Sequence, residues 1–187
     1  FIEAALRAML SPRAFVVTQL QPEGSLAFGP FGGGWTGVFR WCKQSALRGS
    51  GQLREDALLF LNFDLLVIHL DADVAGLDYR SGNLQPEEGD GALPCERDCP
   101  PPAATTDELR IVLLSWCGET AAPAKTVICM PSKSTEAWVV ASLFPRDRST
   151  RLNIECFPDP ESRLAQQPKC RRIGKRQRDY QTHAEDF

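Results

Sequence analysis

The acidic pair in Asp71-Ala72-Asp73 is the part of the chain best suited to chemistry. It leaves the uninterrupted apolar run Leu65-Leu66-Val67-Ile68-His69-Leu70, which reads as a buried strand of a parallel sheet. Carboxylates at i and i+2 beyond a strand end can converge on one cation once the chain turns, and Gly76 helps such a turn. That edge of an open α/β sheet is where ligands bind. Two negative charges so close repel each other, and Mg²⁺ or Mn²⁺ removes that cost while taking oxygen ligands. A solvated pair or a helix cap is the plainer explanation of any D-x-D; the apolar run before this one favours the metal.

Glu136 is the second candidate. It stands one turn into a helix that follows a second apolar run, Thr126-Val127-Ile128-Cys129-Met130, so the sequence places it at the same sheet edge, within reach of the metal region. The helix dipole alone would also favour a glutamate there. Positive charge gathers in Lys169, Arg171, Arg172, Lys175, Arg176 and Arg178, followed by Tyr180, a run able to neutralise phosphates or simply to form a solvated face. Arg40 and Lys43 form a weaker basic group, after Gly32-Gly33-Gly34 at a helix start where an anion could sit. His69 alternates with the strand as a core histidine would, and His183 carries little weight.

These side chains need elements to hold them. Phe1, Ile2, Ala5, Leu6 and Leu10 recur at helical spacing, and Ser11-Pro12 ends that helix. Ala14 to Leu20 is rich in strand-forming residues and reads as a strand. Trp35 to Leu47 reads as a helix. So does the stretch from Thr106, as cap, to Gly118, with Asp107 and Glu108 in its first turn, and so does Ser132 to Phe144. From Asp78 to Pro102 the chain is rich in Gly, Pro, Asp and Glu, which predicts a surface loop or insertion over residues 78–104. Residues 157–187 form a basic C-terminal segment. Strands alternating with helices imply an α/β fold whose small, mainly parallel sheet is flanked by helices.

With 187 residues, one domain is expected, and 43% hydrophobic with 24% charged residues excludes wholesale disorder. A net charge of -3 means that any nucleic-acid contact must come from a local patch. Seven cysteines, an odd and scattered set, argue against a secreted disulfide framework. Cys117 and Cys129 read as small buried hydrophobes, and Cys95-x3-Cys99 lacks the second pair that a zinc site would need. No apolar stretch approaches bilayer length and no basic-then-apolar leader is present, so the cytoplasm is the expected compartment.

Three segments together carry a family resemblance: Val67-Ile68-His69-Leu70-Asp71-Ala72-Asp73, Met130-Pro131-Ser132-Lys133-Ser134-Thr135-Glu136-Ala137-Trp138, and Asp159-Pro160 leading into the basic stretch that ends at Tyr180. The chain resembles the Toprim-like branch related to OLD-family nucleases and RloB-like proteins of bacterial defence, over most of its length. The resemblance implies a Toprim-like domain in which Asp71 and Asp73 bind Mg²⁺ or Mn²⁺ and Glu136 supports a second ion or the attacking water. It also implies a nucleic-acid phosphodiester as substrate, with a partner ATPase or a homo-oligomer as company. That family places a further glutamate just after its first strand. Phe1 to Leu10 already reads as helix, so the strand and glutamate are expected upstream of Phe1. Three rivals stay open: a non-catalytic Toprim-like accessory subunit binding a partner ATPase or nucleic acid, a haloacid-dehalogenase-like phosphatase with Asp71 as nucleophile, and a nucleotide-sugar transferase.

Overall fold

Leu66–His69 and Thr126–Cys129 pair as parallel strands, β1 and β2, with Leu66 opposite Thr126 and His69 opposite Cys129. In the computed structural model, residues 1–22, 31–146, 154–157 and 159–166 are described. The helices, in chain order, are α1 (Ile2–Leu10), α2 (Gly34–Arg48), α3 (Ala57–Asn62), α4 (Ala103–Trp116), α5 (Thr135–Leu143) and α6 (Pro160–Ala165), of which α2, α3 and α4 share a unit with the strands. The result is a small two-stranded parallel sheet flanked by helices, the α/β arrangement that the alternation of apolar runs predicts. Chain contacts gather in two compact units, Gln19–Ser132 and Phe1–Thr18 with Lys133–Phe187. Among the described residues no helix is long and apolar enough to cross a membrane.

In the Gln19–Ser132 unit, period-two alternation turns Leu66 and Ile68 of β1 into the core. Helix α4 buries Leu109, Val112, Leu113 and Trp116, one stripe at helical spacing, and α2 answers with Phe39, Trp41, Cys42 and Ala46. Phe39 meets Trp116 edge to face, with ring centroids 5.3 Å apart. Burying an indole N–H demands a partner: Trp116 Nε1 donates to the Tyr79 hydroxyl at 2.8 Å, which donates to the Gly91 carbonyl at 2.7 Å. Gly91 itself lies so tightly on α4 that a Cβ there would stand 2.8 Å from Val112 Cα. Gly118, at φ +65°, ends the helix where a Cβ would strike the Gly51 carbonyl oxygen at 1.8 Å.

Among the buried carboxylates of this unit, Asp56 and Glu119 are each answered by an arginine. Asp56 caps α3 by accepting the Leu59 N–H at 3.3 Å, and it accepts the Arg48 guanidinium at 2.7 Å and 3.1 Å. Glu119 accepts the Arg54 backbone N–H at 2.8 Å and the guanidinium of the same residue. Charge that would be costly in the interior is thus matched where it lies.

The other unit has its own core of Ala137, Val139, Val140, Ile154 and Leu164. Trp138 Nε1 donates to Glu155 at 2.7 Å, which ties α5 to the short turn Ile154–Cys156. Pro160 opens α6 at a position where its missing N–H costs nothing, and Asp159 accepts the Ser162 N–H at 3.0 Å.

Several boundaries differ from those the sequence predicts. Helix α4 starts at Ala103, so Asp107 and Glu108 lie beyond its first turn, and the Thr106 hydroxyl donates back to the Ala103 carbonyl instead of capping. Helix α5 starts at Thr135. The short helix α3 has no counterpart in the sequence reading. Ala14–Leu20 forms no strand: among the described residues its backbone takes part in no hydrogen bond, and strand-forming residues without a partner strand do not make a sheet. Between Asp78 and Pro102 the only regular structure is a turn of 3-10 helix at Tyr79–Gly82, as expected of a long loop.

Asp56→Ala removes a helix cap and leaves Arg48 facing a nearly dry site, a loss of about 3 kcal/mol. Urea unfolding measures it, and a change below about 0.5 kcal/mol would show that the Asp56–Arg48 pair contributes little to the fold.

Candidate functional site

The parallel ladder does not stop where the strands do. Leu70 N–H donates to the Cys129 carbonyl at 3.1 Å and Ala72 N–H to the Pro131 carbonyl at 3.0 Å. Asp71 therefore stands between two residues anchored to the chain leaving β2, at the carboxyl edge of the sheet. Residues two apart on an extended chain share a face, and accordingly His69 Nε2 lies 3.4 Å from Asp71 Oδ1. Both side chains are about one-third exposed, 32% for His69 and 33% for Asp71. His69 is thus not the core histidine that strand alternation predicts; it lies on the face turned away from buried Leu66 and Ile68.

Asp71 also begins a turn of 3-10 helix, Ala72–Gly76, which buries Ala72, Val74 and Ala75 and leaves Asp73 exposed. The long loop folds back onto this turn. Cys95 and Glu96 N–H groups both donate to the Ala75 carbonyl, at 2.8 Å and 3.1 Å. Glu96 Oε2 lies 3.0 Å from where a Cβ of Gly76 would be. Gly76 serves here as room for a carboxylate. Glu96 is the residue that sequence reasoning misses, because nothing in a Pro- and Gly-rich loop marks which of its acids returns to the sheet edge.

Among the described residues no three His, Cys, Asp or Glu side chains gather into a group that could hold a metal ion. Mg²⁺ and Mn²⁺ bind through one or two carboxylates with water and phosphate oxygens completing the shell, and Asp71 and Asp73 are the residues that would hold such an ion. A zinc site on Cys95 and Cys99 is excluded, since Cys99 is disulfide-bonded, as is Cys156. The odd, scattered cysteine count gives no hint of those bonds. Cys42 and Cys117 are fully buried; the side-chain hydrogen bond between the two thiols, then burial, raises the Cys42 thiol well above its ordinary range, so it stays protonated. Cys129 is only partly buried, unlike the fully buried residue expected.

Glu136 belongs to the Phe1–Thr18 and Lys133–Phe187 unit, in the first turn of α5. The basic run from Lys169 to Arg178 and Tyr180 lies outside the described residues. Arg40 and Lys43 border an open surface cavity with Phe31, Leu47, Gln85 and Glu87. Arg40 donates to the Phe31 carbonyl at 3.2 Å, and the Lys43 charge is paired with Glu87 at 2.6 Å and Asp90 at 3.0 Å. Burial lowers the affinity of the Lys43 amine for its proton, yet the hydrogen bonds and charges of Glu87 and Asp90 outweigh it, so its pKa is raised. The Asp90 side chain is itself buried and also accepts the Glu87 N–H at 2.9 Å.

Lys43 thus secures the loop to α2, with no spare charge for a phosphate. Lys43→Met is expected to cost about 2 kcal/mol in urea unfolding and to leave the calorimetric affinity for inorganic pyrophosphate unchanged. A tenfold loss of that affinity would instead return Lys43 to an anion-binding role. Comparison with protein-family models, with curated proteins and with solved structures finds no match for this chain.

Proposed function

We propose that the chain is a Toprim-like nuclease that cuts nucleic-acid phosphodiesters with Mg²⁺ or Mn²⁺ held on Asp71 and Asp73. The observation that carries this reading is the placement of Asp71: a half-buried carboxylate at the carboxyl edge of parallel strands, its neighbours Leu70 and Ala72 both bonded to the chain leaving β2. Asp73 follows on a turn whose apolar side is buried. When bound, the metal would stabilise charge on the phosphate oxygens and lower the pKa of its water.

The protein side chains do the positioning. Asp71 is fixed by the ladder, and His69 beside it restricts the rotation of that carboxylate and carries a ring nitrogen able to donate to it. By the resemblance to Toprim-like proteins, Glu136 would support a second ion or the attacking water. Lys169, Arg171, Arg172, Lys175, Arg176 and Arg178 would hold the backbone of the substrate, adding affinity without sequence choice. The cytoplasmic setting and the bacterial defence role go with the resemblance to Toprim-like proteins, although the disulfide-bonded Cys99 and Cys156 pull toward an oxidising compartment.

The test is cleavage of single- and double-stranded DNA and RNA by the full chain. Mg²⁺ or Mn²⁺ should be required, and a chelator should abolish the activity. Asp71→Asn should lose at least about 100-fold in rate with unchanged circular dichroism. Unaltered cleavage by Asp71→Asn would refute the assignment. Nucleic-acid binding without cleavage under either metal would favour the accessory-subunit reading, and a trapped phosphoaspartate would favour the phosphatase.

A further inference from the structure

Ala14-Phe15-Val16-Val17-Thr18-Gln19-Leu20 has the composition of a strand and lies in no sheet. Among the described residues its backbone takes part in no hydrogen bond, and its middle stands in solvent, Val16 90% and Val17 41% exposed, while Leu20 at its end packs against the core. Backbone groups can be satisfied by water, but an uncharged, β-branched segment with free N–H and C=O groups is a template for another strand.

We infer that Ala14–Leu20 is a dimerisation strand, pairing antiparallel with the same segment of a second copy about a two-fold axis at Val17. The sequence is self-complementary in that register. Val17 lies opposite Val17, Val16 opposite Thr18, Phe15 opposite Gln19 and Ala14 opposite Leu20, so β-branched residues meet at the centre. The ladder contains no charge, and at its ends Arg13 faces Gln21, which spares the like-charge contact that self-pairing of a charged strand would bring. Pro12 and Pro22 fall symmetrically about Val17. Neither can donate to a ladder, so they bound it equally at both ends. A two-fold pairing of this kind uses the same surface on both partners and closes at two copies. A two-stranded ribbon is marginal by itself, so the dimer is reversible, with a dissociation constant on the order of 10 µM.

Sedimentation equilibrium of the full chain from about 1 to 500 µM, paired with amide hydrogen exchange, tests this. The expected result is a monomer–dimer equilibrium in which the amides of residues 15–19 gain protection as dimer accumulates. Val17→Lys sets two ammonium groups against each other on the axis and should weaken the dimer at least about fivefold, whereas Val17→Thr should retain it. If Val17→Lys lowers the melting temperature, Val16→Lys, at the more exposed position, introduces the charge without disturbing the fold and should weaken the dimer likewise. A chain that stays monomeric throughout would overturn the inference. So would a dimer indifferent to both lysine variants, or amides of 15–19 equally protected in the monomer, which would place their partner within the same copy.

Discussion

Parallel pairing past the formal ends of β1 and β2 is the constraint on which the acidic edge depends. A chain leaving a strand is ordinarily free to turn as its local sequence prefers. Here the Leu70 and Ala72 N–H groups are committed to the carbonyls of Cys129 and Pro131, so Asp71 cannot leave the sheet edge without breaking two backbone bonds. The direction of that ladder also fixes what shares its face: His69, two residues earlier, is brought to the Asp71 carboxylate by alternation alone. Pro131, without an N–H of its own, still supplies the carbonyl that receives Ala72.

The core beneath the edge is built so that this ladder stays rigid. Leu66 and Ile68 are held among the residues of α2 and α4, and the aromatic set Phe39, Tyr79 and Trp116 packs edge to face with its polar atoms satisfied. Interior negative charge is matched locally, Asp56 with Arg48, Glu119 with Arg54 and Asp90 with Lys43. Each of these pairs bridges a helix or turn to its neighbour, so the same contacts that neutralise charge also fasten loops. Lys43 shows the consequence for interpretation, since a lysine near a glycine-rich helix start has the sequence character of an anion site while its ammonium serves the loop at Glu87 and Asp90.

The features legible in the sequence are those set by local pattern. Continuous apolar runs give β1 and β2 to within a residue at each end, and the apolar residues Leu113, Leu114 and Trp116 before Gly118 give α4 as a helix. Its start is misread because Thr106 has the chemistry of a cap, and tertiary contact decides otherwise: Thr105 exchanges hydrogen bonds with the backbone of Arg97, drawing the first turn back to Ala103. Helix α3 is invisible because its six residues, Ala57–Asn62, are too short to show a period, and its cap Asp56 is recognisable only once Arg48 is seen beside it. At the candidate site, the position of Asp71 and Asp73 at the end of β1 is legible from the apolar run before them, whereas Glu96 reaches the turn through a loop whose path no pattern encodes. Ala14–Leu20 marks the limit of propensity reasoning, because a strand is a property of two segments and the sequence displays one at a time.

The two aspartates are held in unlike ways, and that difference shapes what they can do together. Asp71 is set by the ladder on both sides. Asp73 rides on a turn that begins with a long bond, Val74 N–H to the Asp71 carbonyl at 3.4 Å, and closes with a shorter one, Leu77 N–H to the Val74 carbonyl at 2.9 Å. The Ala75 carbonyl, accepting from both Cys95 and Glu96, pins the far end of that turn to the loop. The turn carrying Asp73 is thus held by its own backbone bonds and by the loop, whereas Asp71 is held by the sheet. For the Mg²⁺ or Mn²⁺ proposed above, Asp71, set by the ladder, would fix the position of the ion, and Asp73 would add a second oxygen ligand from the turn.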